Sequence, residues 1–162
     1  MESVFLIDER SEFELIKKVC LEVKEKFEGL EDISKLGVIC VSPEYSGTLG
    51  MRVFHSLVNE KFPEYVCVDT PLPSETEEQQ KNYKVIIEVL GPYLKQKLTK
   101  LVVLSSFDSN HYTWIKEALI NAKFAEEDLT FVALVESKDS SFNADIVGEH
   151  IDLEPKFWWE LD

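Results

Sequence analysis

Apolar positions recur along this chain in two rhythms. Ile16, Val19, Cys20, Val23, Phe27 and Leu30 recur at helical intervals, the period of a helix that buries one face, while Lys17, Lys24, Glu25 and Lys26 fall on its outer side. Ser11 and Glu14 have the S-x-x-E spacing of a capping box and set the expected start of that helix. The second rhythm is four apolar runs, at 38–41, 65–68, 101–104 and 129–135, the last interrupted only by Thr130. Strands that lack polar alternation are covered on both faces, the usual state of a parallel sheet. Amphipathic stretches separate the runs. One is expected from about Thr48 to Asn59; a second carries Tyr83, Ile86, Ile87, Leu90 and Leu94 after the S-x-x-E pair Ser74 and Glu77; a third carries Ile115, Ala118, Leu119 and Ala122. Gly91-Pro92 is expected to kink or divide the second of these. Strands alternating with helices predict an α/β domain of three layers, a mostly parallel sheet with helices on both faces. No repeat, linker or charge tail marks a boundary, so residues 1–162 are read as one domain. Such sheets bind ligands beyond the carboxyl ends of their strands, here the segments 42–50, 69–73, 105–113 and 136–145.

Composition narrows the choice of ligand. At 162 residues and 44% hydrophobic the chain can build one core, and 17 basic against 31 acidic side chains leave a formal net charge of −14. A field of that sign repels phosphate backbones and anionic lipid surfaces, so nucleic acid and membrane are excluded as expected partners. A single small anion is not excluded, because a pocket acts at contact distance while net charge acts through screened solvent. No apolar run approaches the roughly 18 residues of a membrane span, and MESVFLIDER is acidic where a signal peptide is basic, so a cytoplasmic protein is expected. Cys20, Cys40 and Cys67 lie in apolar surroundings at spacings of no zinc or CxxC type and are read as buried reduced thiols. His55 and His150 have no companions at metal-ligand spacing, so no metal site is expected.

The richest chemistry is the segment Ser105-Ser106-Phe107-Asp108-Ser109-Asn110-His111-Tyr112-Thr113, at a strand-to-helix junction. Free N–H groups at a helix start, with short hydroxyl side chains around them, can cradle a phosphate or carboxylate. Equally, Ser109 or Asn110 can simply cap the helix.

From the strand Leu101-Val102-Val103-Leu104 through Thr113, and in the tail Asn143-Ala144-Asp145-Ile146-Val147-Gly148-Glu149-His150-Ile151 followed by Phe157-Trp158-Trp159-Glu160, the chain resembles the type I phosphoribosyltransferases, and among them the purine types. The family's signature is an apolar strand, two acids, a short spacer, Thr-Gly-x-Thr and a helix. The resemblance implies the phosphoribosyltransferase-like fold, a homodimer, and Mg²⁺ if the transferase reaction is retained. It places Ser105 and Ser106 at the ribose and Ser109, Asn110, His111, Tyr112 and Thr113 on the phosphate. Tyr45, Ser46 and Gly47 fall on the pyrophosphate loop, and Lys138 and Trp158 on the base. Trp158 and Trp159 have a second reading, as anchors of the tail to the core or to another subunit.

The departures bear on activity. Two neutral serines replace the acidic pair and cannot oppose an oxocarbenium charge. Asn110-His111 replaces Thr-Gly, and a side chain at the glycine crowds the amides that should wrap the phosphate. Three functions follow: a protein of this fold with a degenerate phosphoribosyl pyrophosphate site that binds a nucleotide, another phosphate-bearing ligand or a protein partner; an active transferase using Mg²⁺, Asp108 and Asp69; or an acidic interaction domain with no small ligand.

Overall fold

The computed structural model describes residues 4–41, 43–68, 77–107, 111–152 and 154–160. Five parallel strands form the central sheet in the order β3-β2-β4-β5-β6: β2 is Leu36–Val41, β3 Glu64–Val68, β4 Lys100–Phe107, β5 Leu129–Ser137 and β6 Ile146–Ile151. Helices α1 (Glu9–Phe27) and α2 (Pro43–Leu57) cover one face, and α3 (Glu77–Lys97) and α4 (Tyr112–Asn121) the other. Residues of β2 and β4 divide accordingly: Val38, Cys40, Val102 and Leu104 enter the core beneath α1 and α2, whereas Ile39, Val41, Leu101 and Val103 enter the core beneath α3 and α4. This two-sided burial is why the strands read as continuous apolar runs, and the three-layer α/β architecture is as expected. No helix among the described residues is long and apolar enough to cross a membrane.

A second sheet pairs β1 (Val4–Ile7) with β7 (Glu154–Phe157) in parallel, bringing the two ends of the chain together. Neither strand is foreseen in the sequence, because four residues are too few to show a period. A short 3₁₀ turn, Trp158–Glu160, follows β7.

Four boundaries differ from expectation. Helix α1 is capped by Asp8 rather than Ser11: the Asp8 carboxylate accepts the Ser11 backbone N–H at 2.7 Å, which places Ser11 inside the first turn. Helix α2 begins at Pro43 instead of Thr48, since proline's fixed φ suits the first helical position, where no N–H bond is required. Helix α3 runs unbroken for 21 residues with Pro92 inside it, so Gly91-Pro92 does not divide it; Ser74 lies outside the described residues. Strand β4 continues through Ser105 and Ser106 to Phe107, held by backbone pairing of Ser105 with Ala133 and of Phe107 with Val135.

The tail motif serves the sheet. The Asp145 carboxylate accepts the Phe131 N–H, and the Asp145 N–H donates to the Phe131 carbonyl, both at 2.8 Å, which aligns β6 beside β5. Lys18 on α1 donates to the Gly148 carbonyl at 2.7 Å and fastens β6 to the helix layer.

Candidate functional site

An open cleft of about 860 Å³ lies between α1, α2, the end of β4 and the turn after β7. Three features of the fold build it. Thr48, Arg52 and His55 share one face of α2 by the i, i+4, i+7 rule, and all three line the cleft with Gly47, which the start at Pro43 brings into the helix. Extending β4 brings Ser106 to its floor. Pairing β7 with β1 brings Trp158 and Trp159 to its rim, opposite Glu12 of α1.

Charges in the cleft are unequal. Glu12 is 9% exposed and its carboxylate accepts the Trp159 indole N–H at 2.8 Å. Burial pushes its pKa above the usual carboxylate range; the indole bond pulls the other way, and the Glu9 charge adds to the rise. Arg52 makes no ion pair among the described residues and is exposed on the cleft wall. Trp158 is 40% exposed, whereas Trp159 stacks on Phe157 with ring centroids 5.2 Å apart and planes within 12°. The two tryptophans thus have different tasks. Trp159 anchors the tail to α1, and Trp158 presents a ring to the cleft.

Of the residues singled out in the sequence, Ser106, Gly47 and Trp158 meet in this cleft. Ser46 lies beside it, 1% exposed, its hydroxyl accepting the Ser106 N–H at 2.8 Å, so that the start of α2 is tied to the end of β4. Tyr45 belongs to the same turn of α2, and its side chain lies outside the described residues. Ser105 is not on the cleft; neighbouring strand residues face opposite sides, and its hydroxyl donates to the Phe107 carbonyl at 3.1 Å.

The phosphate segment also divides. Ser109, Asn110 and Asp108 lie outside the described residues, as do residues 69–76, including Asp69. The Tyr112 side chain belongs to the core: it is fully buried, packs on Phe131 and Phe142, and its hydroxyl donates to the Val132 carbonyl at 2.6 Å, so that a phosphate contact at this residue falls to its backbone N–H. His111 at the start of α4 is 6% exposed, and burial lowers its pKa to about 4, which disfavours the charged imidazolium. Thr113 is exposed on α4. Lys138 lies away from the cleft, its ammonium 3.1 Å from Asp152. The group in the β5 connection that the sequence reading passed over is Glu136, 1% exposed. It accepts the Ala144 N–H at 2.8 Å and lies 2.9 Å from the His150 ring nitrogen, fixing the segment that leads into β6.

The solved structures resembling this arrangement share one architecture. A purine phosphoribosyltransferase from Pyrococcus horikoshii is 11% identical with a TM-score of 0.63, the match covering 100% of this chain and 96% of that one. A hypoxanthine-guanine phosphoribosyltransferase from Bacillus anthracis is 16% identical at 0.61, over 94% and 86%. The chain has the type I phosphoribosyltransferase fold. A xanthine-guanine-hypoxanthine phosphoribosyltransferase from Helicobacter pylori is also similar, 12% identical at 0.57 over 100% and 95%, so these neighbours of the phosphoribosyltransferase fold are purine types. No family sequence model matches the chain and no curated protein is similar to it in sequence.

Mg²⁺-bound phosphoribosyl pyrophosphate, which the phosphoribosyltransferase fold brings to mind, does not fit the described donors. Where the family carries two acids this chain has Ser105 and Ser106, and they face opposite sides of the sheet. Glu12, the carboxylate on the cleft among the described residues, is engaged by Trp159. Among the described residues no group of three or more His, Cys, Asp or Glu side chains is placed to hold a metal ion.

Proposed function

We propose that this protein binds a nucleoside monophosphate, or a ligand with the same pairing of planar ring and phosphate, in the cleft between α1, α2 and the turn after β7, without transferring a phosphoribosyl group. The observation that carries this reading is Arg52, a guanidinium with no ion pair among the described residues in a protein of net charge −14, lining the same cleft as the exposed ring of Trp158. Elsewhere the acidic field disfavours an anion. At Arg52, a planar donor fork meets phosphate oxygens directly, with Thr48 and His55 on the same helix face as further donors. Trp158 offers a face on which any heterocycle gains by stacking.

The missing chemistry is equally specific. Phosphoribosyl transfer passes through a cationic ribose, which a fixed carboxylate stabilises and a serine hydroxyl does not. The segments 69–76 and 108–110 carry further acids, so a transferase assay must accompany the binding measurement.

Titration with nucleoside monophosphates in the absence of divalent cations tests the reading. Arg52→Ala is expected to weaken binding about tenfold, the loss of one charge-assisted contact worth about 1.5 kcal/mol, and Thr113→Ala to leave affinity unchanged. The opposite pattern moves the phosphate to the start of α4, and equal affinities in all three proteins remove Arg52 from the site.

A further inference from the structure

Outside the cleft, two of the three cysteines are brought together by the sheet. Cys40 and Cys67 are register partners on the parallel strands β2 and β3. Partners in a parallel ladder present their side chains to the same face; here it is the face covered by α1 and α2, where Cys40 is part of the core and Tyr65, two residues before Cys67, packs against it. Adjacent strands lie about 4.8 Å apart, inside the roughly 4.4–6.8 Å over which a disulfide spans two Cα atoms. The Tyr65 hydroxyl lies beside both thiols, and burial, with these neighbours, raises its pKa. Gly50 of α2 leaves the space for it, since a methyl group at Gly50 would collide with that hydroxyl and approach the Cys40 sulfur to 3.0 Å.

The two thiols differ in access. Cys40 is fully buried, whereas Cys67 is exposed because β3 is the outer strand, contrary to the expectation that all three thiols are buried. Cys40 is also wired to the site: its thiol donates to the Ser46 carbonyl at 3.3 Å, and Ser46 in turn holds the Ser106 N–H.

We propose that Cys67 and Cys40 form a reversible oxidation site that responds to a peroxide. The Cys67 thiolate attacks one peroxide oxygen, the O–O bond breaks, and the products are Cys67 sulfenic acid and hydroxide. The Cys40 sulfur then attacks the Cys67 sulfur, the S–O bond breaks, and the thiol proton leaves with the hydroxyl as water. Overall, two thiols lose two electrons and two protons, and one hydrogen peroxide becomes two waters. Burial pushes the Cys40 thiol up to about 12, so the first step belongs to the exposed Cys67, and the second relies on the adjacency of the strands. The bridge consumes the hydrogen that Cys40 donates to Ser46. Oxidation therefore releases one of the two bonds that set Ser46 between α2 and β4.

The test uses the whole reduced chain, exposed to hydrogen peroxide, alkylated, and read by intact mass and peptide mapping. The expected product is lighter by two hydrogens, contains a Cys40–Cys67 linked peptide, retains an alkylatable Cys20 and reverts with dithiothreitol. Cys20→Ser should still form the bridge and Cys67→Ser should not, while amide exchange across residues 46–50 should quicken several-fold on oxidation of the parent chain. The proposal is overturned if Cys67 proceeds to sulfinic acid with Cys40 still alkylatable, if Cys20 enters the bridge, if the crosslink joins two chains, or if no thiol is lost.

Discussion

Replacing Gly148 by alanine is expected to destabilise the protein by about 3 kcal/mol, the upper end of the cost of overpacking a well-filled interior. Gly148 is buried on β6, between residues that pair with Ala133 and Val135 of β5. A methyl group there would fall inside van der Waals contact with the Leu134 carbonyl oxygen and 3.4 Å from a Leu15 methyl. The first obstacle is backbone in a central strand and cannot rotate aside. Relief requires β6 to move off β5, which strains the paired bonds of Asp145 with Phe131 and the bond from Lys18 to the Gly148 carbonyl. In a chain of this size the midpoint of thermal unfolding should fall by about 6–12 °C. A midpoint within about 2 °C of the parent would show that β6 can yield without cost.

Acidification should remove about 3 kcal/mol of stability through His111 alone. Its folded pKa is about 4, lowered by burial from 6.5. Between those values the unfolded chain takes up a proton that the folded chain refuses, so the contribution is intact above pH 6.5 and declines as pH falls toward 4. At 1.36 kcal/mol per unit, the loss is about 2 kcal/mol by pH 5 and about 3 kcal/mol at pH 4. Glu12 acts in the opposite sense: its folded pKa is raised, so its contribution is full below the unfolded value and lost as pH rises through the folded one. Urea unfolding of the parent and of His111→Asn across this range separates the two. The stability difference between the proteins should change by about 3 kcal/mol from pH 7 to pH 4, and a constant difference would mean that His111 protonates as readily folded as unfolded.

How much of this was legible in the sequence depended on whether the signal was local. The strands β2, β3, β4 and β5 announce themselves because apolar side chains are needed on both of their faces. Pro-Glu-Tyr-Ser-Gly reads as a turn by composition, yet proline at the first helical position makes it the start of α2, and that shift brings Gly47 into the helix beside Arg52 and His55 on the cleft. Ser105 and Ser106 read as loop by polarity, although backbone pairing with β5 keeps them in the strand. The Asp-Ile-Val-Gly stretch was visible as a resemblance to purine-type enzymes. Asp145 and Gly148 in it hold β6 to β5.

Other features had no local trace. The bond from Trp159 to Glu12 joins residues 147 positions apart, and only the closure of β1 on β7 brings them together. The exposure of Cys67 depends on β3 being the outer strand, which Tyr-Val-Cys-Val cannot reveal. Tyr112 sits among polar residues in the sequence, but the inward face of α4 turns its ring into the core.

Calorimetric titration of the purified protein with a nucleoside monophosphate and with phosphoribosyl pyrophosphate, each with and without Mg²⁺ and followed by an assay for base consumption, is the measurement to make first. Binding of the monophosphate that is indifferent to Mg²⁺, with no transfer to purine or pyrimidine bases, is the result expected of a cleft built on Arg52 and Trp158 without an acidic pair. Mg²⁺-dependent binding of phosphoribosyl pyrophosphate accompanied by turnover of a base would contradict it, and would assign the ribose to acids in the segments 69–76 and 108–110.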